Sequence, residues 1–430
     1  MGNKIKSVLF RILVFVLSTK LIWAQQEISY KSRPVSFPAF LSGVVKGNLG
    51  YIANQFNVSI AKAELKASQV FPDPEIALTY GYNEDRRLQM GQSFEAGLSY
   101  PVNTANRRGA NIALARSNYE LSEYLLDAFF QNLRADAALS YFATLRNQRL
   151  FSLQQDIYKQ LSELARADSI RLASGDATGL DALQSSLEAR SQLTEVYQSL
   201  SEFQNSSVNL MLLQGKKFID TLEIPSGNFP VKQREFRLNE LIDNSLNKRA
   251  DLMAALKNRE VSEKNLSLIK ANRAFEFNLE TGYSYNSIVK NEIAPAPAYN
   301  GLTAGISFPL KFSSLNKGSI AAADLAVSQS RTAYEETELQ IITEVIMAYN
   351  NFVAQNKKVE HYNQGLAEDA LKILEGRIYS YQQGESGLIE VLNAQRTYIE
   401  LQLNQLEALF DYTSALIELE RAAGIWDLSE

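Results

Sequence analysis

The chain has 430 residues, 21% of them charged and 46% hydrophobic, a balance that excludes a disordered chain and suits two or three ordinary domains or one elongated body. It carries no cysteine, one histidine and 48 acidic against 43 basic residues. That composition excludes a disulfide framework and thiol chemistry, and with no basic cluster it argues against nucleic acid as a partner. The first segment, MGNKIKSVLFRILVFVLSTKLIWAQQ, opens with Lys4 and Lys6, continues in an apolar run from Val8 to Leu17 broken by Arg11, and offers a small residue at Ala24. This layout predicts a secretory signal peptide over 1–24. Its removal takes four basic residues and no acid, leaving 39 basic against 48 acidic and a net charge of −9. Beyond it no uninterrupted apolar segment approaches 18 residues, so no membrane-spanning helix is predicted.

After the leader the ten prolines map the chain, because none falls within 102–224 or 310–430. Proline breaks helix interiors, so these two blocks predict long helices, and one of about 65–70 residues would be roughly 100 Å long. The apolar residues agree. Leu126, Phe129, Leu133, Ala137 and Tyr141 step by three or four, and so do Leu371, Leu374, Ile378 and Tyr381. The segments before each block change period. In EIALTYGY (75–82) and SFEAGLSY (93–100) apolar and polar residues alternate. Phe277, Leu279, Thr281, Tyr283 and Tyr285, then Leu302, Ala304, Ile306 and Phe308, alternate in the same way. Period two predicts strands with one apolar and one polar face, of a length close to the 9–11 residues that cross a bilayer as tilted strands.

The two halves correspond. AGLSYPV (96–102) answers AGISFPL (304–310), Gly175 answers Gly384, and Asp181-Ala182-Leu183 answers Glu390-Val391-Leu392. The chain is a tandem duplication of helix, two strands, very long helix, tight turn and helix. The expected first repeat is 25–215, with a hairpin at 74–101, a long helix at 103–173, a tip turn at 174–180 and a helix at 181–214. A linker follows at 216–238, then the second repeat at 239–425, with a hairpin at 276–309, a long helix at 315–382, a tip turn at 383–388 and a helix at 389–424, and a tail at 426–430. Four amphipathic strands cannot seal a barrel in lipid, because open edges would leave backbone groups unpaired. The smallest membrane barrels use about eight strands, so a dimer or a trimer would have to share one.

The order of elements, the twin strand-Pro-then-long-helix joins and the two Gly-centred turns resemble the TolC family of outer-membrane efflux ducts over residues 40–425. FPDPEIALTYGY (71–82), GLSYPV (97–102) and RRGANIALAR (107–116) look closest to the CzcC- and CusC-like branch. The resemblance implies a mainly α fold with a small β part. Very long antiparallel helices would form a periplasmic α-barrel, and four transmembrane strands per chain would complete a trimeric, twelve-stranded β-barrel. It also implies a homotrimer in the outer membrane of a Gram-negative bacterium, docked on a periplasmic adaptor and an inner-membrane pump of the RND type.

The resemblance and the strand alternation supply the candidate residues. Adaptor-docking tips match at Thr178-Gly179-Leu180 and Ser386-Gly387-Leu388, where small residues would admit a partner's backbone and an exposed leucine would anchor it. Asp181 and Glu390, just past the turns, are expected at the periplasmic aperture, as a threefold ring favouring cations or as acids suiting a helix N-terminus. The family's next aperture acid is Asn393 here, an arginine often found beside the turn is Ser386, and Tyr381 is either a gate contact or a seam residue. The polar strand positions Thr79, Glu95, Ser99, Asn278, Glu280, Ser284, Thr303 and Ser307 are expected to face the barrel lumen, in contact with water, while their neighbours face outer-membrane lipid.

Enzyme readings find no support. His361 is the sole histidine, no Ser-His-Asp, Cys-His or zinc constellation can be assembled, and Gly384-Glu385-Ser386-Gly387 falls short of a nucleophile elbow. No cofactor or metal site is predicted, and no nucleotide-binding motif occurs. The function expected is a passive exit duct of a tripartite efflux system. The alternatives are the duct of a type I protein secretion system and a periplasmic coiled-coil scaffold.

Overall fold

The computed structural model describes residues 31–104, 106–217, 220–230, 234–273, 276–310 and 317–427. The leader expected at 1–24 lies outside the described residues. The chain divides into two compact units, Met1–Gly47 with Ser140–Asn228, and Asn48–Leu139 with Phe229–Glu430. Among the described residues no helix is long and apolar enough to cross a membrane.

In the first unit strand β1 (Lys31–Ser36) pairs in parallel with a strand at Thr221–Ser226, from Lys31 opposite Thr221 to Ser36 opposite Ser226. Helix α1 (Phe37–Gly47) follows β1 directly. A parallel pair has no tight turn to set its register, and here a side chain does so. The Tyr141 hydroxyl lies 2.9 Å from the Val35 carbonyl and 2.8 Å from that of Ser226, to which it donates, and it accepts from the Ser226 N–H at 3.1 Å. Phe37, Phe40 and Phe142 pack their rings around Tyr141 at 5.3–5.5 Å. Tyr141 belongs to a helix of 68 residues, Arg107–Ser174, whose part from Ser140 onward lies in this unit and packs against helix Gly179–Leu213 through Phe151 and Phe203. The stretch 216–238, expected as a linker, thus contains a strand. Six residues with a partner far away in sequence leave no local pattern to find.

The second unit holds helix α2 (Leu49–Ser68), strands β2 (Glu75–Tyr82) and β3 (Gln92–Asn103), and the first half of the long helix, α3 (Arg107–Ser174). With the first unit's α4 (Gly179–Leu213) and β4 (Thr221–Ser226) named in chain order, the second unit continues with α5 (Leu238–Lys248), α6 (Ala250–Ala271), β5 (Glu276–Asn286) and β6 (Tyr299–Ser307). It ends with α7 (Lys317–Tyr362), α8 (Leu366–Gln382) and α9 (Leu388–Ala423). Its core lies where α5, α7 and α9 meet, with Leu241, Val345, Phe352, Tyr412, Leu416 and Leu419 buried together. Arg249, at the break between α5 and α6, ties that corner with ion pairs to Asp251 and Glu344 and a bond to the Ala422 carbonyl.

The single helix expected over 315–382 is two within the described part, 317–382. Gly365, at φ +95°, separates α7 from α8. A left-handed residue cannot continue a right-handed helix, and glycine takes that conformation without a Cβ clash. Absence of proline was therefore too weak a criterion for continuity.

Strands β2, β3, β5 and β6 form one antiparallel sheet in that order, so the hairpin of each repeat pairs with the other through β3 and β5. The compact units consequently do not coincide with the repeats. β3 also runs through Pro101 to Asn103, beyond the hairpin end expected at 101. Its pairing with β2 ends at Ser99 while that with β5 continues, so one side of β3 is open at Pro101 and the missing N–H costs no ladder bond.

Replacing Tyr141 by Phe keeps the ring packing and removes the hydroxyl, leaving the Ser226 N–H without its partner. The expected loss is about 1–3 kcal/mol, read as a lower urea midpoint together with faster amide exchange in β1 and β4.

Candidate functional site

Residues directly opposite in an antiparallel sheet share a face, so the register decides which side each strand residue joins. Thr79 lies opposite Glu95, which lies opposite Ser284. Ser99 is opposite Glu280, Asn278 is opposite Ser307, and Thr303 is opposite Gly282. All eight polar positions singled out in the sequence lie on one face. Glu75, opposite Ser99, joins them. The Ser307 hydroxyl donates to the Glu280 carboxylate. The other face carries Ile76, Leu78, Tyr80, Phe94, Leu98, Tyr283 and Leu302, and in the single chain it is bare, with Ile76 73% and Leu302 86% exposed.

Glycine is distributed just as unevenly. Gly81, Gly97, Gly282, Gly301 and Gly305 are all on the polar face and none is on the apolar one. A Cβ at Gly282 would come within 2.7 Å of the Thr303 hydroxyl, and one at Gly301 within 2.6 Å of the Ser284 hydroxyl. Crowding on one face only is what a sheet experiences on the inside of a curve, and glycine relieves it.

At the first tip, Gly175 at φ +88° ends α3, and the Asp176 N–H reaches back to the Arg171 carbonyl at 2.8 Å. Thr178 then caps α4. Its hydroxyl accepts from the Asp181 N–H at 3.1 Å while the Asp181 carboxylate accepts from the Thr178 hydroxyl at 2.7 Å and its N–H at 3.3 Å. This reciprocal cap occupies Asp181 at the helix start. Leu180 is left 78% exposed, and a Cβ placed on Gly179 would meet open space out to 4 Å.

At the second tip Gly384 at φ +76° ends α8, and Gly387 occupies the N-cap of α9 without a side-chain cap. Counting from the caps, Gly387 corresponds to Thr178, Ile389 to Leu180 and Glu390 to Asp181, one residue out of step with the expected match of Ser386-Gly387-Leu388 to Thr178-Gly179-Leu180. The consequence is a correction. Leu388 is 3% exposed and belongs to the core, and the apolar residue offered at this tip is Ile389, 54% exposed. The hydroxyl of Ser386 is buried without a partner among the described residues. Tyr381 is also buried, at 7% exposure, the environment expected of a seam residue.

Glu390 is not a bare acid. It forms an ion pair with Arg377 of α8, both side chains half-exposed, beside a groove that Asn393 and Thr397 also line. Sequence reading missed Arg377, yet a signal existed. Residues 377 and 390 are equidistant from the Gln383–Gly384 turn, so a helical hairpin reversing there sets them side by side.

A sheet with one bare apolar face and one polar, glycine-relieved face, joined to very long helices, defines a β-barrel channel protein with a helical extension. The model of the outer membrane efflux protein family matches residues 52–216 and 241–425, and the chain belongs to that family and to the outer membrane of a Gram-negative cell. It is 23% identical over 432 residues to the cobalt-zinc-cadmium resistance protein CzcC of Cupriavidus metallidurans, covering 96% of this chain and 97% of that one. It is 22% identical over 371 residues to the outer membrane protein TolC of Vibrio cholerae, covering 82% of each. The solved channel CusC has the same fold, with a TM-score of 0.75 at 19% identity over 90% of this chain and 91% of that one. Family members are channels rather than enzymes.

The Arg377–Glu390 pair gives a test with opposite signs. Arg377→Gln leaves the Glu390 charge uncompensated and should raise the cation preference of currents in planar bilayers, whereas Glu390→Gln should lower it. Equal responses in one direction would remove the pair from the conduction path.

Proposed function

We propose that the mature chain is the outer-membrane exit duct of a tripartite efflux system. Three copies share one twelve-stranded barrel, and the duct passively conducts substrates delivered by a periplasmic adaptor and an inner-membrane pump of the RND type. The observation that supports this most is the segregated sheet. Four strands with a bare apolar face and two open edges make sense only as part of a larger closed wall with lipid outside and water within.

The polar face suits cations. Glu75, Glu95 and Glu280 lie on it and no basic residue of the four strands does. Acids lining a pore favour cations and raise the cost of anion passage. The full-length likeness to a cobalt-zinc-cadmium resistance protein supports metal cations as cargo.

The adaptor is proposed to dock at Thr178, Gly179 and Leu180 of one tip and at Ser386, Gly387 and Ile389 of the other, with Leu388 serving the core. Both glycines have room around them and negative φ, so added bulk strains neither backbone. Gly179→Trp with Gly387→Trp should therefore abolish co-purification of the adaptor and pump while leaving heat-labile oligomers on gels and single-channel conductance intact. Undiminished capture of the adaptor would contradict docking at these tips, and an unmodified chain without conductance would contradict the duct.

A further inference from the structure

All four joins between helix and strand lie at one end of the sheet, because β2 and β5 start there and β3 and β6 finish there. The described residues at this end, within 66–75, 103–108, 270–276 and 307–317, include six basic and three acidic ones in a chain that is acidic as a whole. The hairpin loops at the other end, 83–91 and 287–298, hold three of each. The apolar face is thus bordered by positive charge on the helix side alone.

The arrangement of these charges is not accounted for inside the chain. One acid of the rim, Glu276, is already paired with Arg107 at 2.9 Å. Arg108 lies over the Phe71 ring at 3.9 Å and donates to the Gln69 carbonyl, which holds the end of α2 against the start of α3. Lys66, Lys270, Arg273 and Lys317 are exposed and have no acidic partner among the described residues. Lys66 and Lys270 sit in last helical turns, where the helix dipole welcomes a cation. Arg107, Arg108 and Lys317 sit in first turns, where it does not, and neither α3 nor α7 has an acid there. By contrast α4, α5, α6, α8 and α9 all start with one, and α1 and α2, which do not, carry no base there either. Placing cations against the dipole is unfavourable. An anionic layer at the same depth would offset that cost.

We propose that this basic rim binds the phosphates of anionic phospholipid headgroups in the periplasm-facing leaflet of the outer membrane and so fixes the depth at which the barrel sits. The proposal rests on the membrane-barrel reading above. The depth fits, since the headgroup layer begins where the apolar face ends, and here Ile76, Val102 and Ile306 each adjoin the junction segments directly. Each Lys or Arg near an anionic surface adds to the attraction, so four unpaired cations per chain suffice for a measurable lipid preference.

The test uses the full mature protein in phosphatidylcholine vesicles doped with spin-labelled phosphatidylglycerol or spin-labelled phosphatidylcholine. The motionally restricted lipid should favour phosphatidylglycerol by about threefold or more at low salt and lose that preference near 0.5 M NaCl, where screening lengths fall to roughly 4 Å. The quadruple variant Lys66→Gln, Lys270→Gln, Arg273→Gln, Lys317→Gln should bring the ratio close to one, and the charge-keeping Lys66→Arg, Lys270→Arg, Arg273→Lys, Lys317→Arg should retain it. No preference in the unaltered protein, or an unchanged preference in the glutamine variant, overturns the proposal. Displacement of the lipid by inorganic phosphate beyond the effect of chloride at equal ionic strength would reassign the rim to a soluble anion and overturn it as well. Channel currents recorded on the same vesicles separate the two readings. Conductance without lipid preference sinks the rim and spares the duct, and preference without conductance does the reverse.

Discussion

The constraint on which the structure depends is the pairing of backbone hydrogen bonds along β2 and β6. These are the two outer strands of the sheet, eight and nine residues long, and in one chain each has a neighbour on one side only. In hydrocarbon an unpaired N–H or C=O costs several kcal/mol, so two open edges cost tens of kcal/mol, more than the whole stability of an ordinary fold. No rearrangement of side chains removes that cost. Only another strand on each edge does, and the proposed assembly supplies it with β2 of one copy beside β6 of the next.

The other features follow from that demand. Closing a wall around water requires curvature, which the polar face can accommodate because Gly81, Gly282 and Gly301 omit a Cβ that would crowd a neighbouring hydroxyl. The apolar face must meet lipid, and it carries aromatic and aliphatic residues with no charge between Ile76 and Tyr82. Outside the sheet the chain returns to water, where helices satisfy their own hydrogen bonds and need bury only a seam. The Tyr141 clamp, the Arg249 corner and the ring cluster of Phe236, Phe352 and Tyr412 hold those helices at fixed points.

What the sequence made legible was whatever repeats at a fixed period. Alternation over eight or more residues assigned all eight polar strand positions to one face, because a slip of one residue would invert every side chain. The 3/4 stripes likewise marked the helices. What escaped depends on contacts that leave no periodic trace. The pairing of β1 with β4 joins segments some 190 residues apart. Gly365 breaks a helix by its backbone angle, with no proline to announce it. At the second tip the helix starts at Leu388, one residue later than alignment to the first tip implied, and that single step exchanges the buried and exposed roles of Leu388 and Ile389. The cap is responsible. Thr178 fixes the helix start with its hydroxyl, whereas Gly387 has no side chain to do so.

The most direct test of the account is disulfide trapping between the two sheet edges. The chain has no cysteine of its own, so introduced pairs are the only thiols. One cysteine on β2, at Ile76, Leu78 or Tyr80, is combined with one on β6, at Leu302, Ala304 or Ile306, in otherwise unaltered protein in membranes. Neighbouring antiparallel strands bring such residues within disulfide reach. The account predicts that at least one of these same-face pairs links chains covalently into species ending at three copies, while cross-face pairs such as Ala77 with Leu302 do not. Absence of any linked species, or equal linking by same-face and cross-face pairs, would contradict it.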